Sequence, residues 1–131
     1  MYWSEKYQLG IVADYLREEG YQFATEARLY SIPIDIVALQ GNTTVAVELK
    51  SRDFKRGINQ AERNTSVVDF SYLSVWEENI TDDLVSRIDD SPIGLLSVGT
   101  HVKCLSPPVR NDPSTHAKSR VQEYVRNHVR K

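Results

Sequence analysis

The dipeptide Gly41-Asn42 separates two strand-like runs and leaves room only for a tight turn. Before it stands Ile34-Asp35-Ile36-Val37-Ala38-Leu39-Gln40, and after it Thr43-Thr44-Val45-Ala46-Val47-Glu48-Leu49-Lys50. Both runs are rich in β-branched residues, and a two-residue loop of this composition favours a primed hairpin turn. Such a turn pairs Gln40 with Thr43 and so sets Asp35 directly opposite Glu48. Lys50, two residues further on, projects from the same face as Glu48. A three-residue turn would slip the register by one and place Ile36 opposite Glu48 instead.

Opposed carboxylates repel across a ladder, and apolar neighbours make the repulsion costlier. A divalent cation between them would remove the conflict. Oxygen ligands with open positions suit Mg²⁺ or Mn²⁺, which keep water and accept phosphate oxygens. Lys50 beside that ion could orient a water or stabilise charge building on phosphorus. The chemistry expected of this arrangement is metal-dependent phosphodiester cleavage. The plainer alternative is a pair of strand-end charges, with Lys50 simply neutralising Glu48.

Length and charge limit what surrounds the hairpin. A chain of 131 residues suits one core, and 40% apolar with 26% charged content fits a globular protein. No apolar run reaches membrane-spanning length, and the N-terminus lacks a signal pattern, so a cytoplasmic protein without a membrane partner is expected. Cys104 is the sole cysteine, read as a buried inert thiol, which also fits a reducing compartment. His101, His116 and His128 have no metal-ligand spacing. The net charge of −2 argues against an indiscriminate nucleic-acid coat, but it is unevenly spread. Lys50, Arg52, Lys55, Arg56 and Arg63 outnumber Asp53 and Glu62 beside the hairpin. Basic residues also dominate 110–131, whereas 77–90 is strongly acidic.

The remaining chain reads as alternating helices and strands. Ser4 caps a helix to about Glu19, with Tyr7, Ile11, Val12, Tyr15 and Leu16 as its apolar face and Gly20 as its stop. Tyr21 to Arg28 forms a first strand ahead of the hairpin. Asp53 caps a second helix to about Thr65, with Phe54, Ile58 and Ala61 as its core stripe. Val68 to Trp76 is a fourth strand, and a helix from Thr81 to Ile88 follows. Short strands at Gly94–Val98 and His101–Leu105 precede a final helix from Asp112–Ser114 to about His128. The linker-like stretch from Val109 to Ser114 would leave that helix loosely packed. The division expected is a core over 1–109 and a basic helix over 110–131, packed on or appended to it. Apolar residues on both hairpin faces (Ile34, Ile36, Val45 and Val47 on one; Val37, Leu39 and Ala46 on the other) suit central strands covered on each side. The result is an α/β fold with a central mixed sheet flanked by helices.

The element order and the residues Pro33-Ile34-Asp35, Glu48-Leu49-Lys50 and Gln60 resemble the PD-(D/E)XK nuclease superfamily, over roughly Ser4 to Trp76. The resemblance implies a restriction-endonuclease-like αβββαβ core. It assigns metal binding to Asp35, Glu48 and the Leu49 carbonyl, and water positioning to Lys50. Ile34 separates Pro33 from Asp35, a departure from a strict Pro-Asp pair. Some members carry a glutamine and a tyrosine one turn apart in the following helix; Gln60 fits the first and Asn64 stands in the tyrosine's place. Gln60 could bond a metal water or phosphate, with Arg52, Lys55, Arg56 and Arg63 gripping nucleic acid. An ordinary solvated helix flank is the plainer reading of that side. Glu26, inside the first strand, ranks ahead of Glu5 as a further metal acid. The expected activity is Mg²⁺- or Mn²⁺-dependent DNA endonuclease in repair, recombination or restriction, on double-stranded or branched DNA. The size matches small Holliday-junction resolvases, so a second copy of the chain is a candidate partner through Phe70, Tyr72 and Trp76, with ordinary core packing the plainer reading of those aromatics. The alternatives are a nucleic-acid-binding or scaffold protein that keeps the fold without cutting, and an unrelated α/β protein with no site.

Overall fold

The computed structural model describes residues 4–129; Arg130 and Lys131 of the basic segment and residues 1–3 of the core lie outside the described residues. Helix α1 (Glu5–Glu18) starts at Ser4, whose side chain accepts from the Tyr7 N–H, and ends before Gly20, where φ is +87°. Its buried face is Gln8, Val12, Ala13 and Leu16 rather than the tyrosine-rich face expected. Gln8 can be buried because both ends of its amide are paired: it donates to the Lys50 carbonyl and accepts from the Ser74 hydroxyl. Tyr7 stays more than half exposed and stacks on Trp76.

Strands β1 (Gln22–Leu29), β2 (Ile32–Gln40), β3 (Thr43–Lys50), β4 (Phe70–Trp76), β5 (Gly94–Val98) and β6 (Val102–Ser106) form one six-stranded sheet in sequential order. Gly41 supplies the turn's positive φ, and Gln40 pairs with Thr43 as the two-residue loop requires. Helix α2 (Phe54–Asn64) carries the chain from β3 to β4, which pairs parallel to β3. The β4–β5 pair is also parallel, whereas β1–β2, β2–β3 and β5–β6 are antiparallel. This is the α/β mixed sheet flanked by helices that the sequence predicts.

Helix α1 covers one face with Val12 and Leu16 against Phe23, Ile36, Ala38, Val45 and Val47. On the other face α2 and α3 (Asp82–Asp89) enclose Ile58, Ala61, Leu73, Val75, Leu84 and Ile88. Helix α4 (Thr115–His128) packs Ala117, Val121 and Val125 over β1 and β2, beside Val67 and Val68. It is tightly held, contrary to the looseness expected of its linker. The Asn111 N–H donates to the Asp69 carbonyl at 2.7 Å, and Ser114 caps the helix through the Ala117 N–H. Cys104 is also corrected: it is a free, exposed thiol on β6, not a buried one. That strand has a single neighbour, so Lys103, Cys104 and Leu105 face solvent.

One irregularity shapes the site. Pairing of β1 with β2 runs from Gln22 to Thr25 and resumes at Ala27, skipping Glu26 and Asp35. Glu26 has φ of +53°, a left-handed conformation rarely adopted by such a residue. The alternation changes phase there, so Ala24 and Ala27 share a cluster, as do Val37 and Ile34. Ile34 therefore packs on the α4 side, not beside Ile36 as unbroken alternation would have it.

Candidate functional site

The β2–β3 ladder runs from Gln40↔Thr43 to Ile36↔Val47 and stops, while β3 stays paired with β4 through Lys50↔Val75. Asp35 and Glu48 are the next residues after that stop. Each carboxylate takes a backbone N–H belonging to the opposite strand. The Leu49 N–H donates to Asp35 Oδ2 at 2.8 Å, and the Asp35 N–H to Glu48 Oε2 at 3.4 Å. The side chains thus satisfy amides that the interrupted ladder leaves without strand partners. The two-residue turn brings together the acids expected to meet.

Glu48 is only 3% exposed. Burial and the neighbouring Asp35 charge push its carboxyl up from 4.5 to about 7, against the opposing pull of Asn64, the Asp35 N–H and Arg63. An acid in this state gains from any cation that joins it. Lys50 lies two positions along the same face. Its stem packs against Gly57 of α2, where an added Cβ would sit 2.6 Å from Lys50 Cγ. Among the described residues no ion pair joins Lys50 to Glu48, so simple neutralisation is not the arrangement seen. The Leu49 side chain is buried on the α1 side while its N–H meets Asp35.

Helix α2 is positioned by Asp53, whose side chain accepts from the Arg56 N–H while its own backbone is left-handed. Arg52, Lys55 and Arg56 are exposed around the helix start. Arg63 is half-buried, and its Nη2 donates to the Pro33 carbonyl at 2.8 Å, tying α2 to the hairpin. Asn64 is fully buried and donates from Nδ2 to Glu48 Oε2 at 2.9 Å. Buried Gln60 Oε1 and Asn64 Oδ1 find no donor, and Arg63 Nε finds no acceptor.

Glu26 falls opposite Asp35 in sequence register, but it is exposed and lies in the skipped position. Glu5 accepts the Ser51 N–H at 3.2 Å, next to Lys50 in sequence. Of the two further acids weighed, Glu5 is the one held at the end of β3. Among the described residues there is no group of three or more His, Cys, Asp or Glu side chains placed to hold a metal. Two carboxylates, with the amide of Asn64 beside one of them, are nevertheless oxygen ligands of the kind that Mg²⁺ or Mn²⁺ takes.

In the sequence, Asn64 stands out only as a departure from the family's glutamine-and-tyrosine pattern. Its signal was positional: at 100° per residue it falls beside Gly57 in the inward arc of α2, where a polar residue needs a partner. Gln8 gave the same signal in α1.

No protein-family profile and no curated protein matches the chain. Among solved structures, a protein of unknown function from Silicibacter pomeroyi superposes with a TM-score of 0.72 at 16% identity. The match covers 90% of this chain and 80% of that one. A likeness at this identity concerns the fold alone.

Proposed function

We propose that the protein is a Mg²⁺- or Mn²⁺-dependent DNA endonuclease with a restriction-endonuclease-like core. One observation carries the reading: two carboxylates sit side by side where a ladder stops, and one of them is almost wholly buried. A cation there would polarise the phosphate and lower the pKa of a bound water. Asp35 and Glu48 would hold it, with the Leu49 carbonyl as a backbone ligand. Lys50 orients the attacking water from the same face. Arg52, Lys55 and Arg56 offer exposed positive charge to the DNA backbone, and Arg63 fixes the hairpin against α2. A second copy of the chain and a cytoplasmic setting belong to the same proposal. Trp76 is almost fully buried, so of the three aromatics named for a dimer surface only Phe70 and Tyr72 retain partial exposure.

The test is incubation with linear, single-stranded, flap and four-way DNA in Mg²⁺ or Mn²⁺. Wild-type protein should cut at least one substrate, and Glu48→Ala should cut none. Lys50→Ala should bind Mn²⁺ as the wild type does yet lose about 10²-fold or more in cleavage rate. Equal cutting by all three proteins would end the proposal. A non-cutting scaffold is favoured by one feature, namely that both carboxylates already hold backbone N–H groups. Mn²⁺ binding that is absent from the wild type would decide for that reading.

A further inference from the structure

We propose that the β1–β2 turn and α4 together form a slot for an unpaired base of single-stranded nucleic acid. The turn is Tyr30-Ser31, set between the paired residues Leu29 and Ile32. Both of its residues have positive φ, +52° at Tyr30 and +65° at Ser31. A two-residue turn of this kind normally takes Asn-Gly, because most other side chains are strained in a left-handed backbone. The chain bears that strain and presents Tyr30 with 44% of its surface exposed. Arg120 of α4 lies over the ring, its guanidinium carbon 5.3 Å from the centroid. His116 stands beside the ring at 6.0 Å, tilted by 56°. Arg28 Nη1 donates to the Ser31 carbonyl at 3.4 Å and adds a further exposed cation.

One turn beyond Arg120, His128 stacks on Tyr124 at 4.1 Å and 17°, held by its Nδ1 donating to the Tyr124 carbonyl at 2.9 Å. Arg120, Tyr124 and His128 line a cavity of about 250 Å³ together with Leu29, Glu123 and Asn127. Leu29 is its buried apolar floor, and Glu123 and Asn127 are exposed polar edges. These groups select the ligand by their chemistry. Arginine disfavours an organic cation, and a bare phosphate would gain nothing from Leu29 or the rings. A nucleotide in a single strand meets both conditions. Its base stacks on aromatic and guanidinium planes, and its phosphates pair with Arg28 and Arg120. The Glu123 carboxylate only accepts hydrogen bonds, so it favours a base with an exocyclic amino group, such as cytosine, over thymine. A base stacked and paired in a duplex cannot enter, so the strand must be single. The turn joins β1 to the Asp35 end of β2, yet the slot shares no residue with the carboxylate pair. Binding here needs no cation at Asp35 and Glu48.

The experiment follows fluorescence anisotropy of labelled oligodeoxycytidylate, oligothymidylate and duplex DNA, each about 15 nucleotides long, with the full chain in EDTA. Wild-type protein should bind single strands more tightly than duplex, and cytosine more tightly than thymine. Tyr30→Asn combined with Ser31→Gly should keep a thermal midpoint no lower than wild type, because the turn is relieved, yet weaken single-strand binding about tenfold or more. Arg120→Gln, an exposed change on α4, should weaken binding and flatten its salt dependence. Tyr30→Phe should bind as wild type, and Glu123→Gln should erase the preference for cytosine. Single-strand binding unchanged in the turn variant and in Arg120→Gln would overturn the slot. Equal wild-type affinity for duplex and single strand would overturn it too, leaving only a basic surface. Capture of labelled polyglutamate with the same dependence on Tyr30 would do likewise, since the occupant would then be an acidic peptide. Because EDTA removes any cation, failure here leaves the nuclease reading standing, and loss of cleavage in Glu48→Ala bears on that reading alone.

Discussion

Glu48 is buried as an acid beside another acid, and its ionisation feeds directly into stability. Its carboxyl is pushed from 4.5 to about 7 by burial first and by Asp35 second, so the folded chain binds this proton more tightly than the unfolded chain does. The contribution is fully present below pH 4.5 and is lost as pH rises toward 7. Glu48→Gln cannot ionise, so the difference between wild-type and variant unfolding free energies should change by about 3 kcal/mol across that window. Urea denaturation at pH 4.5 and pH 8 without metal measures it. A constant difference would mean Glu48 ionises freely in the fold. Asp35→Asn should shrink the change without abolishing it, since burial would remain. The opposed pair was legible in sequence because a two-residue loop leaves one register. Its burial and its backbone partners were not, because they depend on where the ladder stops.

At the level of elements, α2 sets the reach of Lys50. A Cβ on residue 57 would lie 2.6 Å from Lys50 Cγ and 2.9 Å from Leu73 Cδ1, so only glycine fits without movement. Gly57→Ala gains about 1 kcal/mol of helix propensity but overpacks the β3–β4 surface by about 1–3 kcal/mol. Thermal unfolding should show a small net loss. On the nuclease proposal, cleavage should fall further than Mn²⁺ affinity, because residue 57 touches the Lys50 stem directly whereas α2 reaches Glu48 only through Asn64. Loss of both in step would mean that the disturbance at residue 57 is passed on to Glu48 through Asn64. The helix itself was readable from Asp53 and from the spacing of Phe54, Ile58 and Ala61. Its intimacy with β3 was not, since a lone glycine in a helix pattern carries no address.

For the molecule as a whole, Asp69 is the clasp that joins α4 to the sheet. It is buried, accepts from the Thr44 N–H at 2.9 Å, from the Thr44 hydroxyl at 3.2 Å and from Lys118 Nζ at 3.3 Å, and forms an ion pair with Lys118 at 3.0 Å. Burial works to raise its pKa, but the Thr44 N–H and Lys118 outweigh it and hold the carboxyl below 3.8. Its stabilisation is therefore present above that pH and is lost as acid protonates the folded form. Asp69→Ala leaves the Thr44 N–H and Lys118 without their acceptor and should cost about 3 kcal/mol, read by urea denaturation at pH 7. An unchanged midpoint would mean that α4 is held by Ala117, Val121 and Val125 alone. The sequence predicts the helix from Ser114 and its apolar spacing, but the Asn111 and Asp69 contacts link residues far apart in the chain, beyond the range of any local pattern. Because Asp35 and Glu48 are bonded to the amides of Leu49 and Asp35, each acid has its own nuclear-spin reporter. The nitrogen and proton resonances of those two amides should follow protonation or ion capture one carboxylate at a time, without any label at the seam between the second and third strands.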